Sequence, residues 1–189
     1  MEEIKKRIKH NYEMSTDQYK WYPVYTNPRA EKKAHQQLLQ KGIESYLPLT
    51  RTLKQWSDRK KWVEEPLISS YIFVHITARE LEQVLMTPGI CRFIYFSGKI
   101  ASMPESQITN LKLLLATDSQ LEISSRHFQK GEQVLIKAGP LQGLQGELVE
   151  FQSSKRLLLR IDHIGQSVLI QVSKAFIEPL YPYAAAGSH

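Results

Sequence analysis

The sequence predicts an α+β protein of two domains, an amino-terminal α/β sandwich and a small carboxy-terminal five-stranded β-barrel. Between residues 21 and 115, periodic segments follow the order strand, helix, strands, helix, strand, helix, which favours a mainly antiparallel sheet with helices on one face. Beyond residue 131, short segments rich in Leu, Ile and Val alternate with turn residues. Five of the nine glycines fall between Gly131 and Gly165, a shift in composition that separates the two halves.

These shifts set the expected domain boundaries. Residues 1–20 mix both charges with few apolar side chains and are expected to be a mobile extension before the sandwich at 21–115. Residues 116–125 lack periodicity, are rich in serine and acidic residues, and are the expected linker. The barrel is expected at 126–181, followed by a short tail at 182–189.

Two apolar segments are predicted to be strands of the first sheet. Residues 21–26 form one, in which Trp21 and Tyr22 point to opposite faces and Pro23, which cannot donate to a ladder, marks an edge or a bulge. Residues 66–76, the most apolar stretch, form a central strand. Its alternation separates an aromatic face from an aliphatic one, namely Tyr71, Phe73 and His75 against Ile72, Val74 and Ile76. The aliphatic face suits the core, and the aromatic face is either covered or a partly exposed binding surface.

Helices are predicted at three places. Asn27 is expected to cap the first, and Gly42 is expected to end it as a left-handed cap residue. Its inward stripe is Ala30, Ala34 and Leu38. Thr77–Glu80 and Ser102–Glu105 have the spacing of capping boxes and open the second and third helices, with one further strand expected at 90–96 between them.

A basic hairpin is predicted before the central strand. Its turn carries three consecutive cations between two tryptophans, in the order Trp56, Arg59, Lys60, Lys61 and Trp62. The residues leave two interpretations open. The commoner is a solvated turn whose charge protects a sheet edge, and the other is a nucleic-acid contact, because aromatic rings beside cations suit stacking on unpaired bases.

The run Gly139–Gly146 is the most distinctive part of the second half. Its three glycines, Gly139, Gly143 and Gly146, are expected to permit a tight reversal between two strands. Further strands are predicted at 147–151, 156–161, 167–172 and 176–180. The spacing through this run resembles the KOW motif, although any hairpin with glycine at its corner gives a similar pattern.

Composition narrows the class of protein. Lys and Arg exceed Asp and Glu by 25 to 19, and residues 21–115 hold 13 basic against 8 acidic side chains, which suits a polyanionic partner as well as ordinary solubility. The longest uncharged apolar stretch, 67–76, is about half of the ~20 residues that span a bilayer, so no membrane association is expected. The single cysteine, Cys91, excludes an internal disulfide, and the sequence shows no zinc-site spacing. A cytoplasmic protein without cofactor or metal is predicted.

With both halves considered, residues 21–180 resemble the NusG family of transcription elongation factors. The segments that carry the resemblance are Trp21–Tyr22, Pro66–Val74, Thr87–Ile90 and Gly139–Gly143. The basic hairpin looks most like the operon-specific antiterminator branch, which includes the UpxY-type and RfaH-type proteins. The family usually has Pro-Gly or Pro-Asn where this chain has Ser69 and Ser70.

The resemblance implies a regulator of transcription elongation or antitermination, with two kinds of partner for the first domain. By motif position, the residues expected to bind the clamp helices of RNA polymerase are Trp21, Tyr22, Tyr71 and Phe73. The residues expected to contact nucleic acid of the elongation complex are Arg51, Lys54, Trp56, Arg59, Lys60, Lys61 and Trp62. In the barrel, Leu141 and Ile164 are the residues expected to contact a ribosomal protein or the Rho terminator.

Two other classes of protein fit the sequence less well. An enzyme would need a group such as Cys91 paired with His35, His75 or His163, but Cys91 lies in an apolar segment typical of inert packing, so no enzymatic activity is predicted. The alternative to a transcription factor is a KOW-type ribosome-associated or RNA-binding protein. Such proteins carry a larger basic excess than the 7 basic against 5 acidic residues of 126–181, which favours protein partners for the barrel.

Overall fold

The computed structural model describes residues 17–56, 58–117, 121–125, 131–151, 154–161 and 163–180. Most of the predicted extension and the whole of the predicted tail lie outside these residues. The chain divides into two compact units, Met1–Ile108 and Thr109–His189. This division falls ahead of the predicted linker at 116–125, and the predicted domain boundaries stay a prediction.

The first unit is built on a four-stranded antiparallel sheet in the order β2-β5-β1-β6. Its strands are β1 (Lys20–Thr26), β2 (Glu44–Tyr46), β5 (Tyr71–Ile76) and β6 (Ile90–Phe93). As predicted, β5 is central and turns its aliphatic face to the core, where Ile72, Val74 and Ile76 are buried. The core also contains Val24, Ala34, Leu38 and Phe93.

Pro23 lies in a central strand, which the sequence did not predict. Its strand, β1, pairs with β5 on one side and with β6 on the other. The pairing with β6 begins only at Val24, and the carbonyl oxygen of Pro23 accepts a hydrogen bond from the N–H of Ile94, 3.4 Å away, just past the end of β6. The proline is tolerated because its missing N–H falls where the neighbouring strand has already ended.

The first helix, α1 (Glu31–Gln40), begins later than predicted. Asn27 does not cap it directly; its carbonyl oxygen accepts from the N–H of Ala30 at 3.0 Å and closes a turn before the helix. The end of α1 agrees with the prediction, because Gly42 has a φ of 76°. Ala34 and Leu38 are fully buried, as expected of its inward stripe.

The remaining elements of the first unit follow the predicted order with shifted bounds. Glu80 accepts from the N–H of Thr77 at 2.8 Å, as in a capping box, and a 3-10 turn (Ala78–Glu80) leads into α2 (Leu81–Leu85). The single strand expected at 90–96 is divided, because β7 (Tyr95–Phe96) leaves the sheet and pairs with β8 (Lys99–Ile100). Helix α3 runs over Glu105–Leu115, and the division between the two units falls within it.

The basic hairpin consists of β3 (Leu49–Gln55) and β4 (Lys60–Pro66), which pair with each other in a two-stranded sheet separate from the four-stranded one. Most of its side chains are exposed, in contrast to those of β5. It therefore extends from the edge of the domain next to β2 and contributes little to the core.

The second unit contains a six-stranded antiparallel sheet among the described residues, in the order β14-β10-β11-β12-β13-β9. Its strands are β9 (Leu121–Ser124), β10 (Glu132–Ile136), β11 (Gln145–Phe151), β12 (Ser154–Ile161), β13 (Gln166–Ile170) and β14 (Ile177–Pro179). All five predicted strands are present, as β10 to β14, and the sheet has a sixth. The additional strand, β9, comes from the predicted linker and pairs with β13. The polar composition of this segment predicted a linker, but its backbone forms a strand because it hydrogen-bonds to the edge of the sheet.

The glycines of the run that resembles the KOW motif have two different roles. Gly139 and Gly143, with φ of 84° and 89°, form the reversal between β10 and β11 as predicted. Gly146 lies within β11, where an added Cβ would stand 2.8 Å from the carbonyl oxygen of Leu158. It is therefore required for close approach of two strands and not for the turn.

Candidate functional site

The aromatic face of the first sheet, defined here as Trp21, Pro23, Tyr25, Tyr71, Phe73 and His75, is made of three cross-strand pairs of β1 and β5. The antiparallel register sets Trp21 opposite His75, Pro23 opposite Phe73 and Tyr25 opposite Tyr71. The Trp21 and His75 rings stack with centroids 4.8 Å apart, and the Tyr25 and Tyr71 rings meet edge to face at 5.4 Å. Such pairs stabilise the face beyond their buried area.

Exposure divides the four predicted polymerase-contact residues. Phe73 is 0% and Trp21 2% exposed, so neither presents a ring to a partner in this structure. The Trp21 indole N–H donates to Glu105 Oε2 at 3.2 Å, which satisfies it internally. Tyr22 lies on the opposite side of the sheet and packs against the core, as the alternation of β1 requires. Of these four residues, only Tyr71 is both partly exposed and on the aromatic face.

Two neighbours of Tyr71 were missed by the sequence analysis. Tyr25 is partly exposed, and the guanidinium of Arg92 lies over its ring, 5.3 Å from the centroid. Burial raises the pKa of the Tyr71 hydroxyl, the nearby Tyr25 raises it further, and the positive charge of Arg92 lowers it in part. The alternation that put Trp21 and Pro23 on one face also places Tyr25 there, so the signal was present in the sequence.

The basic hairpin presents a second group of exposed apolar side chains. Trp62 is 64% and Leu53 46% exposed, and they lie directly opposite each other across the two strands. Trp56, at the turn, is 50% exposed, and the guanidinium of Arg59 lies 5.9 Å from its ring centroid. The turn closes through the N–H of Trp56, which donates to the carbonyl oxygen of Arg59 at 2.8 Å.

The cations of the basic hairpin fall into two groups. Two of them have carboxylate partners: Arg51 lies 3.8 Å from the Glu64 carboxylate, and Lys54, which stands opposite Lys61, forms an ion pair with Glu65. Near its tip, Arg59 lies 3.9 Å from Asp58, whereas Lys60 and Lys61 form no ion pair with the residues that the structure describes. The seven predicted nucleic-acid residues thus lie on one hairpin, with the unpaired positive charge at its tip.

The predicted partner contacts of the second unit are buried. Leu141 and Ile164 are less than 9% exposed, although both lie in turns between strands. The carbonyl oxygen of Leu141 accepts from the N–H of Leu144 at 3.0 Å, and this turn directs the Leu141 side chain inward. Phe176 is instead 40% exposed, and its ring would lie 3.3 Å from a Cβ at Gly139. Residue type alone gave no means to choose Phe176 over Leu141.

The residues considered for catalysis have structural partners. Cys91 is exposed on the edge strand β6, and not packed in the interior as predicted; its thiol donates to Asn27 Oδ1 at 2.9 Å. His75 Nδ1 lies 2.7 Å from Glu44 Oε2, and His35 Nδ1 lies 2.8 Å from Ser45 Oγ. Burial lowers the pKa of His35.

The described residues bear on two further features, metal binding and membrane spanning. His, Cys, Asp and Glu side chains do not gather there in any group of three suited to a metal ion. Within the same residues, every helix is too short or too polar to cross a bilayer.

Comparison with known proteins identifies the family. Residues 19–112, about half of the chain, match the family model described as transcription termination factor NusG. The chain belongs to the NusG family. The matched residues include the aromatic face and the basic hairpin. The specialised branch suggested by the sequence is not identified by this match.

Relatives extend the similarity to the NusG family into the second unit. The transcription termination/antitermination protein NusG of Rickettsia felis is 24% identical over 165 residues, which cover 81% of this chain and 86% of that protein. The NusG protein of Staphylococcus aureus is 25% identical over 178 residues, covering 85% and 96% respectively. A solved structure described as domain interaction in Thermotoga maritima NusG is 18% identical in sequence, with a TM-score of 0.47. The match covers 88% of this chain and all of that one.

Proposed function

We propose that this protein is a regulator of transcription elongation that binds RNA polymerase through the Tyr71 side of the aromatic face and contacts nucleic acid through the basic hairpin. The observation that carries the proposal is the pairing of exposed aromatic rings with unpaired cations on an element that contributes little to the core. Exposed Trp62 and Leu53 offer apolar contact area, and Lys60 and Lys61 offer charge without an internal partner among the described residues.

The polymerase contact is proposed for Tyr71 together with Tyr25 and Arg92. Tyr and Arg are the side chains most often found to dominate the binding energy of protein interfaces. Here they are preorganised, because Tyr25 is held between the Tyr71 ring edge and the Arg92 guanidinium. Trp21 and Phe73 lie on the same face but are buried, so they are not part of the proposed contact.

The second unit is proposed to bind a further protein partner, such as a ribosomal protein or the Rho terminator. Because Leu141 and Ile164 are buried, the exposed ring of Phe176 is the better candidate for that contact. An operon-specific role, as in the UpxY-type and RfaH-type branch, is part of the proposal and is supported by the cationic turn and exposed tryptophans of the basic hairpin.

Polymerase binding is tested with Tyr71→Ala against a matched control, Tyr95→Ala. Tyr95 is a tyrosine outside the aromatic face, 45% exposed and therefore more accessible than the half-buried Tyr71, on the β7–β8 hairpin. With cognate RNA polymerase, Tyr71→Ala is expected to weaken binding by roughly tenfold to thirtyfold, as for an interface hot spot, and Tyr95→Ala by less than about twofold. Equal effects of the two substitutions would remove Tyr71 from the interface.

The function itself is tested by transcription in vitro on a long template with and without the protein. The intact chain is expected to change pausing or readthrough, and Lys60→Glu with Lys61→Glu is expected to reduce that effect and its dependence on salt. If no leader shows any change with the intact protein, the transcription proposal fails. Cosedimentation with ribosomal subunits in place of polymerase would instead support the ribosome-associated alternative.

A further inference from the structure

The hydrogen bonds of the basic hairpin show which of its backbone groups point outward. The N–H of Trp56 donates to the carbonyl oxygen of Arg59 at the turn, and the N–H of Leu67 donates to that of Pro48 at the other end, both at 2.8 Å. In an antiparallel ladder, residue pairs that hydrogen-bond to each other alternate with pairs whose N–H and C=O groups point away from the partner strand. The outward pairs here are Arg51 with Glu64, Leu53 with Trp62, and Gln55 with Lys60.

The outer edge of β4 is covered, whereas the outer edge of β3, called here the β3 edge, is open. On β4, the carbonyl oxygen of Glu64 accepts from Lys32 Nζ at 2.7 Å, and Pro66 lacks the N–H that a further strand would use. On β3, the outward N–H and C=O groups of residues 51, 53 and 55 have no hydrogen-bond partner among the described residues. Such a row of groups is a template for another extended chain about 4.8 Å away.

The β3 edge lacks two of the features that commonly block an exposed strand. Its seven residues contain no proline and pair with β4 in a continuous register. On one face, Leu53 is 46% exposed and lies opposite Trp62, so an added strand would gain apolar contact there. On the other face, Lys54 lies opposite Lys61, and an anionic side chain beside them would relieve the repulsion between the two cations.

We infer that the β3 edge binds an extended, acidic polypeptide segment of a partner protein, which adds to β3 as a further strand. The charge of the hairpin selects this partner, because residues 49–66 hold five basic against three acidic side chains. Two copies of this chain paired through β3 would bring both sets of cations together, so the edge rejects a second copy. Alternation along the added strand places an apolar residue beside Leu53 and an acidic residue beside Lys54. The expected partner segment therefore alternates apolar with acidic residues.

The ion pairs of the β3 cations leave them available to such a partner. Arg51 lies 3.8 Å from Glu64, with side chains 77% and 54% exposed, and the pair of Lys54 with Glu65 is also exposed. Exposed pairs contribute little to stability, so a carboxylate of the partner can replace either glutamate. This contact uses the backbone of β3, whereas the proposed nucleic-acid contact uses side chains of the hairpin, and the two stand or fail separately.

The test is amide hydrogen exchange of the full chain, measured by NMR with and without a peptide that alternates glutamate with valine. A peptide of about nine residues is long enough to cover β3. In the free protein, the outward amides of Arg51, Leu53 and Gln55 are expected to exchange rapidly, whereas the ladder protects those of Thr52 and Lys54. Peptide at about ten times its Kd is expected to slow exchange of the outward amides about tenfold and to leave the other two nearly unchanged.

Gln55→Pro tests whether the backbone makes the contact, with Gln55→Ala as its matched control. Proline removes one outward N–H and sets a ring carbon where the added strand would lie, but it takes no hydrogen bond from the ladder. Gln55→Pro is expected to weaken peptide binding by roughly tenfold or more, and Gln55→Ala by less than about twofold. Protection of the Lys54 amide shows whether the proline variant keeps the hairpin; if it does not, exchange in the unaltered chain decides the question.

Three results would overturn the inference. The first is that the acidic peptide, at millimolar concentration, leaves the outward amides unprotected. The second is that the two Gln55 variants bind it equally, or that a peptide with lysine in place of glutamate binds as well. The third is protection of the outward amides in the free protein that is lost on dilution, which would assign the β3 edge to a second copy. None of these results alters the transcription assay of the intact chain, so failure here is distinguishable from failure of the proposed function.

Discussion

Ser70 immediately precedes Tyr71 and adopts a conformation that suits glycine. Its φ is 64°, in the left-handed region, which costs a residue with a Cβ roughly 1–2 kcal/mol. The conformation is held by the main chain, since the N–H of Ser70 donates to Glu31 Oε1 at 2.7 Å and its carbonyl oxygen accepts from the N–H of Thr26 at 2.9 Å. Both hydrogen bonds survive replacement by glycine.

Ser70→Gly is therefore expected to stabilise the first unit. Relief of about 1–2 kcal/mol is opposed by the greater conformational freedom of glycine in the unfolded chain, about 0.5–1 kcal/mol, which leaves a gain of about 0.5–1 kcal/mol. For a unit of this size, that gain raises the melting temperature by roughly 2–8 °C. Ser69→Gly is the matched control: Ser69 is exposed and lacks a positive φ, so the same change there is expected to lower stability.

Thermal unfolding followed by tryptophan fluorescence suits this comparison, because all three tryptophans, Trp21, Trp56 and Trp62, belong to the first unit. Trp21 is the buried reporter, and its emission is expected to shift to longer wavelength on unfolding. If Ser70→Gly lowers the midpoint as much as Ser69→Gly does, the strain assigned to Ser70 is wrong.

Two further substitutions test the packing of each unit. Glu147→Gln is expected to destabilise the second unit by about 1.5–3 kcal/mol, because the buried carboxylate of Glu147 accepts from Arg160 Nε at 2.7 Å and from the N–H of Gly131 at 3.0 Å. Hydrogen exchange of the β11 and β12 amides should accelerate in this variant, and unchanged exchange would contradict the expected loss of stability. Burial raises the pKa of Tyr46 to about 12 from 10.0, so its hydroxyl ionises more readily in the unfolded chain, and stability should fall as pH rises from 10 to about 12. Tyr46→Phe should reduce that fall, as measured by denaturant unfolding at pH 9 and pH 11; an unaltered fall would assign it to another group.

The sequence predicted best the features that depend on local periodicity. The two faces of β5, the antiparallel sheet, the capping interaction of Thr77 with Glu80 and the left-handed Gly42 are all found in the structure. Each follows from a pattern of a few residues that tertiary contacts reinforce. Pairing of distant edges does not follow from local pattern, and for that reason the sequence predicts a linker where β9 forms and one continuous strand where β6 and β7 are separate.

The candidate contact residues were predicted less well because exposure is a tertiary property. Phe73 and Tyr71 lie on the same face of one strand, yet the first is fully buried and the second is not. Leu141 lies in a turn, where apolar residues are often exposed, but its side chain is buried. In the other direction, Cys91 lies in an apolar segment but is exposed, because β6 is an edge strand.

The basic hairpin was predicted correctly as a hairpin. Its side chains are exposed because its two strands form a separate sheet. A two-stranded sheet with few core contacts can change its surface residues at little cost to the fold, whereas a change at Phe73 would leave a cavity costing about 3–5 kcal/mol. Exposed Trp62 and Leu53 gain little from folding and lower solubility, so a partner that covers them is the simplest reason for their presence. Under the proposed function, recognition can diverge on the hairpin while the buried residues of the aromatic face and their supporting core stay fixed.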